Sequence, residues 1–198
     1  QVTMPAAAHT ATVNYVSTPP VTTIDVMVAS KNDDAEERVN KGNVMQGGGD
    51  LELGEDGTAA QLVGLRFSNI TIPNGSTITD AWITFTADEV KTATANLTVY
   101  GQAADNPPAF SGEDYDISTR PQTTASVAWN SVAPWTTVGA EYNSPGLATI
   151  VQEIVNRGGW ASGNALVIII DGTGTRTAES WDGAPTQAAN LHIEYSTP

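Results

Sequence analysis

The chain is predicted to be an all-β protein, an antiparallel β-sandwich with one short helix and an extended N-terminal arm. Three observations carry this. Short segments alternate apolar and polar residues again and again, turn residues separate them, and only one segment has helical spacing. At 198 residues and 20.7 kDa the chain fits one domain plus an arm, and the body is long enough to bury a core.

The arm and its linker span residues 1–23. They hold no charged residue except His9, and they include the alternating run Thr10–Val16. The run breaks at Ser17-Thr18-Pro19-Pro20, a stiff extended linker. Ala11, Val13 and Tyr15 project from one side of such a strand. A tethered strand can lie along its own sheet, stay disordered, or add to the sheet edge of a neighbouring copy. The last option builds an open homopolymer.

The body spans residues 24–198. Ile24–Val28 alternates as a strand. Ser30 to Asp56 is a long polar region, read as loop. Leu62–Phe67 is a strand, Pro73-Asn74-Gly75 a turn, and Ile78–Thr86 a strand with Ala81, Ile83 and Phe85 on one face and Trp82 and Thr84 on the other. Ala95–Ala103 and Ala125–Trp129 continue the pattern around a loop-rich stretch from Asp105 to Pro134. Ser144 and Pro145 suit the start of a helix whose apolar face is Leu147, Ile150, Val151, Ile154 and Val155, stopped by Gly158-Gly159. Ala165–Asp171 has the composition of a strand buried on both faces. Leu191–Tyr195 alternates, with His192 turned to solvent.

Net charge is −14, from 22 acidic and 8 basic residues. This argues against nucleic acid and anionic membrane surfaces and suits a cation partner. There is no cysteine, so disulfides and thiolate zinc sites are excluded. No apolar run approaches a membrane helix, which argues against membrane insertion. Gln1 is read as a mature N-terminus after cleavage, which implies secretion to the extracellular space or cell surface; a boundary chosen for expression is the alternative. Three Asn-x-Ser/Thr triplets, at Asn69, Asn74 and Asn96, fit glycan acceptors or ordinary turns, and Ser17–Thr23 suits O-linked sugar.

Asp33, Asp34, Glu36 and Glu37 bunch within five positions, and Asp50 and Glu52 follow three glycines. Calcium takes about six to eight oxygens, mixing carboxylates with loop carbonyls, so these acids are candidate ligands for a structural calcium, with Asp182 from a late loop. A solvated acidic loop is the alternative. No catalytic constellation is present. The two histidines, His9 and His192, lie in the arm and the last strand, and neither a nucleophile elbow nor a phosphate loop occurs. A sugar platform would need exposed rings, for which Trp82, Trp135 and Trp181 are candidates; packing under loops is the alternative.

Val63–Phe67, then Ile72-Pro73-Asn74-Gly75-Ser76-Thr77-Ile78-Thr79-Asp80-Ala81, Val127–Asn130, the Leu147–Val155 helix and Gly163–Ile168 occur in that order. This order resembles the jelly-roll β-sandwich modules of secreted bacterial proteins termed DNRLRE-type, or carbohydrate-binding-module-like. The likeness spans roughly residues 24–195. It implies a jelly roll with a structural calcium near the start of the domain. The name-giving loop is not recognisable, so a sugar-binding role does not carry over. A sandwich headed by an alternating arm also resembles subunits of bacterial extracellular filaments that polymerise by donor-strand exchange. The expected role is therefore a fibre or matrix subunit, with a calcium-stabilised carbohydrate-binding module as the alternative.

Overall fold

The computed structural model describes residues 20–197. In chain order the strands are β1 Val21–Met27, β2 Asp34–Arg38, β3 Val44–Met45, β4 Asp50–Asp56, β5 Ala59–Ile70, β6 Thr77–Thr86, β7 Asn96–Gln102, β8 Gln122–Trp129 and β9 Glu141–Asn143. Helix α1, Ala148–Val155, precedes β10 Asn164–Thr173, β11 Thr175–Glu179 and β12 Asn190–Ser196.

Two antiparallel sheets pack face to face. One has the order β1-β12-β6-β9; the other runs β11-β4-β5-β10-β7-β8, with β2 added beside β5 and β3 beside β2. The chain crosses repeatedly from one sheet to the other, as in a jelly roll. The strand expected at Ile24 begins three residues earlier, and Val21 lies opposite Ser196 at the far end of β12.

The period-2 pattern explains most of the sandwich. On β6, Ala81, Ile83 and Phe85 are buried while Trp82 and Thr84 are only half-buried. On β12, Leu191, Ile193 and Tyr195 point inward. These residues meet Val63, Leu65, Phe67, Val99, Leu166, Ile168 and Ile170 from the second sheet in one core.

β10 is buried on both faces because its outer face is also covered. Val167 and Ile169 pack with Ala35, Leu62, Phe110 and Ile117 in a second cluster. The covering loop is held by Arg120, which donates to the carbonyls of Pro108, Ala109 and Asp116 and lies 4.4 Å above the Phe110 ring. Gly64 leaves room for that ring: a Cβ there would lie 2.5 Å from Phe110 Cζ.

The helix presents the expected apolar face, with Leu147, Ile150, Val151, Ile154 and Val155 fully buried. Its start is corrected. Ser144 and Pro145 lie outside it, and no side chain caps it. The Ser144 hydroxyl accepts instead from Ile83 N–H, while Ser144 N–H and Leu147 N–H donate to Ile83 and Ala81 carbonyls. The segment before the helix therefore runs along the edge of β6, and tertiary pairing overrides the local capping preference.

The region read as polar loop, Ser30 to Asp56, instead contains β2, β3 and β4. This correction changes the setting of every acidic candidate.

Candidate functional site

The candidate acids lie on strands or beside them, not on a solvated loop. β2 inserts between β5 and β3, with Glu36 opposite Val63 and Met45. Pleating sends Ala35 and Glu37 one way and Asp34 and Glu36 the other. Glu37 is fully buried, and its Oε2 accepts from Ile117 N–H and Ser118 N–H at 2.8 Å each. Asp33 pairs with Arg66 at 2.6 Å and accepts from the Ser30 hydroxyl. Both acids hold neighbouring segments in place through these bonds, while Glu37 Oε1 is buried without a hydrogen-bond partner.

The remaining five form two groups. Asp34 is buried and its Oδ2 accepts from Trp181 N–H at 2.8 Å. Burial pushes its carboxyl up to about 6, opposed by that bond and reinforced by the charge of Asp182. In the second group Glu36 Oε1 accepts from Glu52 N–H at 2.5 Å. Burial, with the carboxylates of Glu52 and Asp50, pushes Glu36 up to about 8. Asp50 lies opposite Glu179 in the β4–β11 register, and burial raises both, aided by the charge of Asp88. Among the described residues, no three or more His, Asp or Glu side chains gather in a group that could hold a metal ion. Seven candidates in one acid cage is therefore not the arrangement observed.

The aromatic platform is dispersed. Trp135 is fully buried, stacked on Tyr142 at 5.0 Å, and offers no face to a sugar. Trp181 is half-buried and packs on the core. Trp82 lies on the outer face of the smaller sheet in the row Asp25–His192–Trp82. His192, expected to face solvent, is 16% exposed; its ring stacks on Trp82 at 3.9 Å and its Nδ1 lies 2.8 Å from Asp25. One indole face is thus already covered.

The sheet edges differ sharply. Helix α1 and the segment before it lie beside the edge strand β8 and beside the part of β6 that the short edge strand β9, paired only with Thr84–Thr86, leaves unpaired. Gln152 Oε1 accepts from Ile78 N–H, and Glu153 accepts from Thr124 N–H and Ala125 N–H. At β11, Asp88 N–H donates to Thr177 O. β1 has no such cover. Its seven residues pair with β12 on one side, and among the described residues no main-chain group of β1 has a partner on the other. Val21 and Met27 are 53% and 38% exposed there. The arm residues Ala11, Val13 and Tyr15 lie outside the described residues.

No helix among the described residues is long and apolar enough to cross a membrane. No protein-family model matches the chain, and no curated protein matches it in sequence.

Proposed function

We propose that the chain is a secreted, non-catalytic structural subunit of an extracellular fibre or matrix, in which the N-terminal arm of one copy adds as a strand to the sheet of the next. The observation that supports this is the β1 edge. A seven-residue edge with no partner among the described residues is a template for strand addition, and soluble proteins usually blunt such edges with charge, proline or a covering element. β1 carries only Asp25 as a charge, and residues 1–20 lead directly into it. Main-chain bonds would supply affinity, and Ala11, Val13 and Tyr15 would set register.

The test compares the full chain, a chain starting at residue 20, and full-length Val13→Asp/Tyr15→Asp by electron microscopy and sedimentation. Starting at residue 20 keeps β1 whole. Fibres from the unmodified chain alone support strand addition. One-domain particles from all three, across the accessible concentration range, overturn it.

One observation favours carbohydrate binding instead: Trp82 stands on an open sheet face among Asp25, Asp80, Asn190 and Glu194. Glycan-array binding that is lost in Trp82→Ala would support that function.

A further inference from the structure

We infer that the cavity beside the β2–β3 hairpin binds a primary ammonium carried on a short alkyl stem, as in a lysine side chain or a small aliphatic amine, with Glu36 and Gln61 as its acceptors. The site stands independently of strand addition.

The cavity measures about 270 Å³ and is lined by Glu36, Arg38, Asn43, Val44, Met45 and Gln61. The strand register explains the grouping. Glu36 lies between Val63 of β5 and Met45 of β3, and Gln61, opposite Arg38, shares the face of Val63 on β5. Glu36 and Gln61 are therefore diagonal neighbours across the β2–β5 pair. Both are almost withdrawn from solvent, at 3% and 2% exposure. Each carries an oxygen without a hydrogen-bond partner, Glu36 Oε2 and Gln61 Oε1. Buried polar atoms are normally satisfied, so two orphan acceptors at one cavity call for a donor.

The cavity's own donors are committed elsewhere. Arg38 Nη2 donates to Asp56 at 2.7 Å, which also offsets its charge, and Asn43 Nδ2 donates to Asp114 at 3.1 Å. One carboxylate and one amide oxygen are too few for a divalent metal ion, which takes about six oxygens or more. They match a single ammonium, whose N–H groups can serve both oxygens and a water. A guanidinium suits the site less. It binds best to both oxygens of one carboxylate, and Glu36 Oε1 already accepts from Glu52 N–H. A quaternary ammonium has no donor to offer. Val44 and Met45 give the alkyl stem an apolar wall. At ~30 Å³ per water the cavity also has room for water beside the ligand, so the ammonium keeps part of its hydration.

The experiment uses the full 198-residue chain with isotope-labelled methionine methyls, followed by nuclear magnetic resonance at constant ionic strength. At about pH 9 Glu36, whose carboxyl burial pushes up to about 8, is largely ionised, and an alkylammonium keeps its proton. The probes are n-butylammonium chloride and Nα-acetyl-lysine amide. The comparators are Nα-acetyl-arginine amide, tetramethylammonium chloride and sodium chloride. Met45 lines the cavity, while Met27 lies on β1 and serves as the internal control. The expected result is a saturable shift of the Met45 methyl with butylammonium, an unmoved Met27, and binding of every comparator weaker by about tenfold or more. Binding of the lysine amide as well supports a protein lysine as the ligand; binding of butylammonium alone supports a free amine. Glu36→Gln, which keeps shape and removes charge, should weaken butylammonium about tenfold or more. Gln61→Leu removes the second acceptor and should weaken it several-fold without lowering the melting temperature. The comparators decide the matter in the parent chain, whatever the stability of the variants. A Met45 methyl unmoved by butylammonium overturns the proposal, and is the result if a proton on Glu36 already satisfies Gln61 from within. Comparators that bind as well as butylammonium, or binding unaltered in both variants, overturn it too.

Discussion

Arg176 offers the sharpest test of how the sandwich is held together. It is fully buried on β11, and no carboxylate among the described residues pairs with it. Its guanidinium donates to four carbonyls: Nε to Ala133 at 3.0 Å, Nη1 to Ala93 at 2.9 Å and Thr175 at 2.7 Å, and Nη2 to Val132 at 2.6 Å. One side chain thereby ties the loop before β7 and the loop after β8 to β11. Arg176→Met keeps an unbranched apolar stem and removes every donor. A buried carbonyl left without a partner costs about 1–3 kcal/mol. A groove of about 180 Å³ lined by Thr92, Ala93, Ser131 and Val132 would let water reach some of the four. If two remain dry the loss is about 2–6 kcal/mol, and relief from burying an unpaired guanidinium offsets part of it. The expected net loss is about 3 kcal/mol. Arg176→Lys keeps the charge but not the planar fork, and should lose about half as much. Urea denaturation at neutral pH reads this as a lower midpoint with an unchanged slope. A Met variant within about 0.5 kcal/mol of the parent would refute the reasoning, because it would mean that the loops hold without the fork.

Gly64→Ala should lose about 1–3 kcal/mol by forcing Phe110 from its place, read by the same denaturation and by a weakened near-ultraviolet aromatic signal. Glu153→Ala releases the N–H groups of Thr124 and Ala125. We expect a loss of about 1–2 kcal/mol and faster aggregation in light scattering through the exposed β8 edge. Asp34 and Glu36 both bind their protons more tightly folded than unfolded. In chelator, stability is therefore fullest in mild acid and falls as pH rises through about 6 for Asp34 and about 8 for Glu36. Melting scans across this range should show the fall; a curve that rises with pH would contradict the assignment.

Strands with one face in the core were legible, because Ala81, Ile83 and Phe85, or Leu191 and Ile193, write the period of the sheet directly into the sequence. β2 was not. Asp34-Ala35-Glu36-Glu37 has no apolar alternation, and its burial depends on the pairing with Val63 and Leu65 and on Ile117, Ser118 and Trp181, all distant in sequence. No local pattern encodes such partners, so the acids read as a solvated loop. Ser144 misled for a related reason: its hydroxyl had a cap to offer but found the main chain of β6. Of the candidate site, Glu36 and Glu52 were visible from charge alone. Trp135 could not be separated from an exposed tryptophan until Phe85 and Tyr142 were seen against it.

The pairing of Val21 with Ser196 has a mechanical consequence. The two ends of the described chain leave the domain side by side, from the same end of an antiparallel pair. Tension applied between them would peel β1 from β12 one rung at a time, the geometry in which hydrogen bonds resist least. A strand laid along the open side of β1 and pulled lengthwise would load its rungs together, in shear. In a tensile assembly the flank of this domain is therefore a stronger attachment point than its two termini.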